Sequence, residues 1–290
     1  MLLFPKRVLF CGGGIRNIAQ IGVLQSLEDG GYLKCVTEWS GVSAGGFLAM
    51  CLAIGYTITE MTDICLRFDF TSIMDVDIAP GWLLNMGLDK GNNVTRLLEA
   101  CMRVKGIDTA LTFSDCKQQF GKSIRLFATD LCSGKMKIFS SDKTPDYIII
   151  DAVKGCMTVP LYFQIAVQDD KCILLDGAVI SNYPMMFLTM EERCETLGIL
   201  LLDNDISISS NDIGLKTLLL RPVDLMLHSR SECEALINRN NTIVVSIPGI
   251  KVLDWNIDNT MKNSLIQSGR DAVKEYIKSF PKPVRRFSVS

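Results

Sequence analysis

One short run, Gly41-Val42-Ser43-Ala44-Gly45, constrains what this chain can fold into more than any other feature. In a G-x-S-x-G setting the serine sits on a strained strand-to-helix turn, and the small residues around it let that turn close with the hydroxyl exposed. The flanks supply both elements. Lys34 to Ser40 (KCVTEWS) reads as a short strand, and Gly46 to Ile54 (GFLAMCLAI) as an apolar helix stopped by Gly55. A serine placed this way is a candidate nucleophile.

The rest of the chain repeats the alternation. Arg7 to Phe10 is a short apolar strand that feeds the turn Gly12-Gly13-Gly14. Ile18 to Glu28 has apolar residues at helical spacing (Ile18, Ile21, Leu24, Leu27) and ends at Gly30-Gly31. Asp69 to Asn93 reads as loop, with Trp82, Leu83, Leu84 and Met86 as a candidate lid, followed by a helix from about Val94 to Val104. Ile124 to Ala128 and Met136 to Phe139 read as paired strands joined by Cys132-Ser133-Gly134. Cys172 to Leu175, Leu197 to Leu202 and Thr242 to Ile247 are further strands, and a helix from about Met261 to Ser279 precedes a basic tail. Alternating strands and helices imply a layered α/β fold with a mainly parallel sheet. Without repeats or a clear linker, one domain over 1–290 is expected: a motif-bearing core at about 7–184, C-terminal elements at about 196–280 and the tail 281–290.

Bulk properties exclude several classes. At 48% hydrophobic and 21% charged the chain can bury a large core and is not disordered. A net charge of -2 argues against nucleic acid as a partner. The eleven cysteines lie singly, with no C-x-x-C pair, which fits a reducing compartment and disfavours a disulfide scaffold or structural zinc. The longest apolar run, Phe47 to Ile58, spans about twelve residues, short of a membrane helix. The N-terminus shows neither a charged n-region nor a cleavage site. A soluble intracellular protein is the expectation.

A serine hydroxyl needs a base. The chain has one histidine, His228. The order Ser43, acid, His228 would match an α/β-hydrolase triad. However, the elbow follows only one βα unit, and His228 falls opposite the stripe Met226, Cys233 and Ile237, towards solvent. The other candidate is Asp176 in Leu174-Leu175-Asp176-Gly177-Ala178, at the end of an apolar strand where α/β active sites lie. Asp-Gly after a strand is also an ordinary turn. The Gly12-Gly13-Gly14 turn lets backbone N–H groups approach a ligand closely and serve as oxyanion donors. It is neither a dinucleotide fingerprint, since Asn17 takes the last glycine position, nor a P-loop, since it lacks Gly-Lys-Ser/Thr.

Together these parts resemble the patatin-like phospholipase family. FCGGGIRNIAQIGVLQSLEDGGY is similar to its glycine-rich oxyanion segment and first helix, EWSGVSAGG to its nucleophile elbow, and LLDGAVISNYP to its Asp-Gly-Ala/Gly block. LTFSDC and FATDLCSGKMKIFSS match in order, so the resemblance runs from about Arg7 to Pro184. It implies a three-layer α/β/α sandwich, a Ser43–Asp176 dyad without histidine, and an oxyanion hole from Gly12, Gly13, Gly14 and the backbone to Arg16. It places Gly41 and Gly45 in the elbow and Gly177 and Ala178 beside the base. It further implies esterase action on phospholipid or another acyl lipid at a lipid surface, with no metal or cofactor. Arg16 matches the family's basic position and is expected to hold the loop, meet a lipid phosphate or, at least equally, form a structural ion pair. Asn17 departs from the usual glycine, and asparagine's tolerance of left-handed backbone is expected to preserve the loop. The departure also leaves a second class open, a patatin-fold lipid- or protein-binding module with little catalysis. The cluster around Trp82 and the basic residues Lys274, Lys278, Lys282, Arg285 and Arg286 are candidate lipid contacts.

Overall fold

The computed structural model describes residues 4–76, 87–165, 167–169, 172–202, 214, 230–247 and 249–279. The chain enters as β1 (Arg7–Phe10), passes a 3-10 turn (Gly14–Asn17) into α1 (Ile18–Asp29), and returns as β2 (Glu38–Val42). At Ser43 it turns into α2 (Ala44–Ala53), followed by α3 (Ile58–Arg67), β3 (Gly87–Asp89), α4 (Asn92–Val104) and α5 (Phe113–Phe120). The hairpin β4 (Ser123–Asp130) and β5 (Lys135–Ser140) leads to α6 (Ile149–Cys156), β6 (Leu161–Phe163), β7 (Val167–Asp169) and β8 (Cys172–Asp176). Last come α7 (Met190–Cys194), β9 (Thr196–Leu202), a helical stretch α8 (230–237), β10 (Thr242–Ser246) and α9 (Asn259–Lys278).

Eight strands form one sheet, ordered β10-β9-β1-β2-β4-β8-β7, with β5 paired to β4. From β10 to β4 the pairing is parallel, whereas β5 and β8 join β4 antiparallel. The parallel strands carry the core: Val8, Leu9, Phe10, Val42, Leu126, Ile199 and Leu200 are fully enclosed, as expected of a sheet covered by helices. Helix α2 packs on β2 and β4, and α6 packs on β4 and β8. Helices α1 and α9 cross at small residues, since a Cβ on Gly22 would collide with the Ile266 carbonyl and one on Gly269 with that of Ala19. The three-layer α/β/α expectation holds, with an antiparallel margin made by the expected β4–β5 pair and by β8, whose direction periodicity did not distinguish.

Local expectations shift in three places. Strand β2 starts at Glu38, where pairing with Arg7 begins, and not at Lys34; the Tyr32 N–H closes a turn onto Leu27 O at 2.9 Å. The stretch read as loop contains a 3-10 turn (Phe70–Ile73), β3 and the first two residues of α4. Buried Asp89 stitches this region together by accepting the N–H groups of Asp75 at 2.8 Å and Gly91 at 2.7 Å. The helix after the elbow begins at Ala44, not Gly46. Among the described residues no helix is long and apolar enough to cross a membrane.

Candidate active site

The elbow is built where β2 runs out. Ser43 adopts φ 54 and ψ -132, a region L-residues occupy only when their surroundings force it. The glycines permit the close approach that forces it. A Cβ on Gly41 would collide with the Gly45 carbonyl, and one on Gly45 would sit 2.5 Å from Cys11 O and 2.8 Å from Phe10 Cβ. Ser43 therefore stands at the N-terminus of α2, where helix N–H groups lack intrahelical partners and favour negative charge.

Asp176 arrives by a different route to the same spot. One edge of β4 serves two strands in succession. Strand β2 pairs in parallel from Ser123 to Phe127 and ends at Val42, opposite Phe127. Strand β8, running the other way, takes over one residue later, with Asp176 opposite Ala128. Two carboxyl ends thus meet head to head, and the next residue, Gly177, fits only as glycine between the Phe127 carbonyl and Val42. The Asp176 main chain is pinned by its N–H to Thr158 O at 2.8 Å and by the Thr129 hydroxyl on its carbonyl at 3.0 Å.

The side chains then complete the pair. The Ser43 hydroxyl faces the Asp176 carboxylate as a donor that lowers its pKa, and Asp176 Oδ1 accepts the Ala178 N–H at 2.9 Å. Ser43 is 9% exposed and Asp176 3%. Burial pushes the Asp176 carboxyl up to about 6, and the two donors only partly oppose it. Cys156 lies behind, its Sγ 4.0 Å from Ser43 O, and burial raises its thiol well above the ordinary range, so it adds no charge there.

The glycine turn lies against the serine. A Cβ on Gly12 would be 3.0 Å from Ser43 Cβ and 2.5 Å from Asn182 Oδ1. Its amides divide into two groups. Gly12 N–H donates to Asn182 O at 3.3 Å, Ile15 N–H to Val252 O at 3.0 Å, and Arg16 N–H to Gly13 O at 3.1 Å. The N–H groups of Gly13 and Gly14 have no protein partner among the described residues. Of the expected donors, Gly12 and Arg16 are therefore committed to backbone carbonyls, and Gly13 and Gly14 are available. Asn17 is right-handed, φ -61 and ψ -12, so left-handed tolerance is not what preserves the loop. Its side-chain amide donates to Cys11 O at 3.2 Å, beside Gln20 Nε2 at 3.0 Å. Arg16 is half-buried, close enough to the Cys11 thiol to lower its pKa, though burial still holds that thiol at about 12.

Ser43 opens on an apolar cavity of about 120 Å³ lined by residues such as Ile15, Phe47, Leu98, Met157, Phe163 and Trp255. Sequence reasoning missed three contributors. Asn182 was legible, six residues after Asp176 within the quoted LLDGAVISNYP block. Val252 and Trp255 carry no local signal. His228, the Trp82 cluster and the tail residues Lys282, Arg285 and Arg286 lie outside the described residues.

Comparison with known proteins places this geometry. A Bacillus subtilis (strain 168) protein, YqhO, is 25% identical over 293 residues, 94% of this chain and 98% of its own length. A probable lipid hydrolase, 463L, of Invertebrate iridescent virus 6 is 28% identical over 184 residues. That match covers 63% of this chain and 62% of the viral protein, under two thirds of either. The crystal structure of VipD from Legionella pneumophila superposes with a TM-score of 0.64 at 16% identity, covering 95% of this chain and 67% of VipD. That likeness speaks to the fold. The model of the patatin-like phospholipases matches residues 8–189, which include the glycine turn, the elbow and the Asp176 block. The chain belongs to the patatin-like phospholipase family.

Proposed function

We propose that this protein is a lipid acyl hydrolase in which Ser43 is the nucleophile and Asp176 the general base, with no metal in the step. The observation that carries the reading is the Ser43 hydroxyl facing a buried Asp176 carboxylate, raised to about 6, at the mouth of an apolar cavity. A free aspartate, with a pKa of about 4, is a weak base, and desolvation makes this one a better proton acceptor while leaving it ionised at neutral pH. The viral relative described as a probable lipid hydrolase points the same way.

In the proposed reaction Asp176 takes the Ser43 proton as Oγ attacks the ester carbonyl. Negative charge develops on the carbonyl oxygen, where the Gly13 and Gly14 N–H groups and the α2 N-terminus receive it. Each such donor is worth about 3 kcal/mol. Protonated Asp176 then delivers its proton to the departing alcohol, leaving an acyl-serine. Next, Asp176 activates a water that releases the fatty acid. The acyl chain occupies the apolar cavity, and the substrate is a phospholipid or another acyl lipid met at a lipid surface.

Fatty-acid release from mixed phospholipid vesicles with EDTA present tests the reading. Release that requires Ser43 and Asp176 and ignores the chelator is expected. No release from folded wild-type protein on phospholipid or neutral acyl esters would contradict it and favour a binding module.

A further inference from the structure

The segment joining β10 to α9 lies outside the family-matched residues 8–189, yet it forms part of the cavity wall. Val252, Leu253 and Trp255 line the cavity together with Gly14 and Ser43. Val252 is 38% exposed, so this is the wall that separates the cavity from solvent.

The segment is fastened to two different walls. On the glycine-turn side Val252 O accepts the Ile15 N–H at 3.0 Å. There Gly14, at φ 54, packs so closely beneath the Val252 carbonyl that a side chain would collide with it. On the other side the Trp255 indole N–H donates to the Tyr162 hydroxyl at 2.8 Å. Tyr162 belongs to β6, flanked by the cavity-lining Val159 and Phe163. Between the anchors a turn closes from Asp254 N–H to Lys251 O at 3.2 Å, and Asp258 caps α9 at Met261 N–H at 2.8 Å. The half-buried indole is thus a rigid plate: its apolar face borders the cavity and its one polar group is satisfied.

We propose that the Val252–Trp255 strap selects among the acyl chains that reach Ser43, with Trp255 the specificity-determining residue that favours shorter chains over longer ones. The inference rests on Ser43 being the nucleophile. A packed wall discriminates because each methylene that does not fit costs about ten-fold or more in the transition state. A clamped aromatic plate in the cavity wall limits how far an acyl chain extends past it, and removing the plate lengthens the chain the cavity accepts.

The test compares Ser43 labelling rates for butyl and dodecyl alkylphosphonate p-nitrophenyl esters in full-length wild type, Trp255→Ala, Tyr162→Phe and Ser43→Ala. The rates are followed by p-nitrophenol release and the site by peptide mass. Trp255→Ala is expected to raise the dodecyl-to-butyl rate ratio about ten-fold. Tyr162→Phe, which frees the indole but keeps the wall, should raise it less and serves if the tryptophan variant does not fold. Ser43-dependent labelling with an unchanged ratio in both variants would overturn the strap's role and leave the nucleophile standing. Wild-type labelling no greater than that of Ser43→Ala would overturn both.

Discussion

Strand β2 begins and ends at a buried carboxylate site, and the two ends treat that charge in opposite ways. At its start, Glu38 lies between two guanidiniums, with Arg125 Nε at 3.1 Å and Arg7 Nε at 3.7 Å, and it accepts the Ser40 hydroxyl at 3.1 Å. Arg125 continues the network to Glu192 at 2.7 Å and holds that carboxyl down at about 2. At its end, past Val42, Asp176 has only a hydroxyl and a backbone N–H to set against burial, and it rises to about 6. Charge neutralised by cations locks the amino end of the sheet. Charge left almost alone at the carboxyl end has the raised pKa of the proposed general base. The backbone differs in the same sense, since Ser43 carries a positive φ and Glu38 sits in regular pairing.

Breaking the reactive end should have the largest effect. Ser43→Ala and Asp176→Asn are each expected to lower kcat by about four orders of magnitude, measured on a soluble acyl ester, with unchanged far-UV circular dichroism. Breaking the locked end should unfold rather than inactivate. Arg125→Met leaves Glu38 and Glu192 without their shared cation and should cost about 3 kcal/mol in urea denaturation, while folded protein still labels at Ser43.

The pH dependence of stability sharpens the contrast, because the two ends carry opposite signs. Asp176 binds its proton more tightly in the fold than in the unfolded chain. Its contribution is present at acid pH and lost as pH rises through about 6. Asp176→Asn should therefore stabilise the protein at pH 8, by up to about 3 kcal/mol, and this gain should vanish near pH 4. Glu192 is the reverse: its contribution is present above the ordinary carboxylate range and lost as pH falls towards about 2. Glu192→Gln should thus destabilise at neutral pH and match wild type in strong acid. The smallest expected effect is His228→Ala, within about two-fold of wild-type turnover; a loss of a hundred-fold or more, the size of a general-base contribution, would restore a histidine mechanism.

Much of the reactive end was legible because its constraints are local. Gly41 and Gly45 are required by close approach within adjacent βα units, and such approach leaves a mark in the sequence; the turn Gly12-Gly13-Gly14 leaves the same mark although its approaches extend to Asn182, Leu201 and Val252. Helices α3 and α5 also had a readable signal, the capping boxes Thr57–Glu60 and Thr112–Asp115, which apolar periodicity passed over. The residues made Asp176 one of two candidate bases for Ser43, and the resemblance chose it over His228. The cause of their meeting, two strands sharing one edge of β4, depends on pairing between residues far apart in the chain. The division of labour among the loop amides depends on Asn182 and Val252, which are equally remote. The start of β2 was misplaced because Val36 and the residues before it are apolar enough for a strand, while pairing with β1 decides where the strand begins.

The central claim is that a desolvated Asp176, with no histidine, activates Ser43. Its most direct measurement is the pH dependence of single-turnover Ser43 acylation by a p-nitrophenyl ester, in wild type and Asp176→Asn. The account predicts a rate that rises with a single ionisation near pH 6 in wild type. In the variant it predicts a small residual rate that is flat through that range. A variant that keeps both the rate and the ionisation would contradict it.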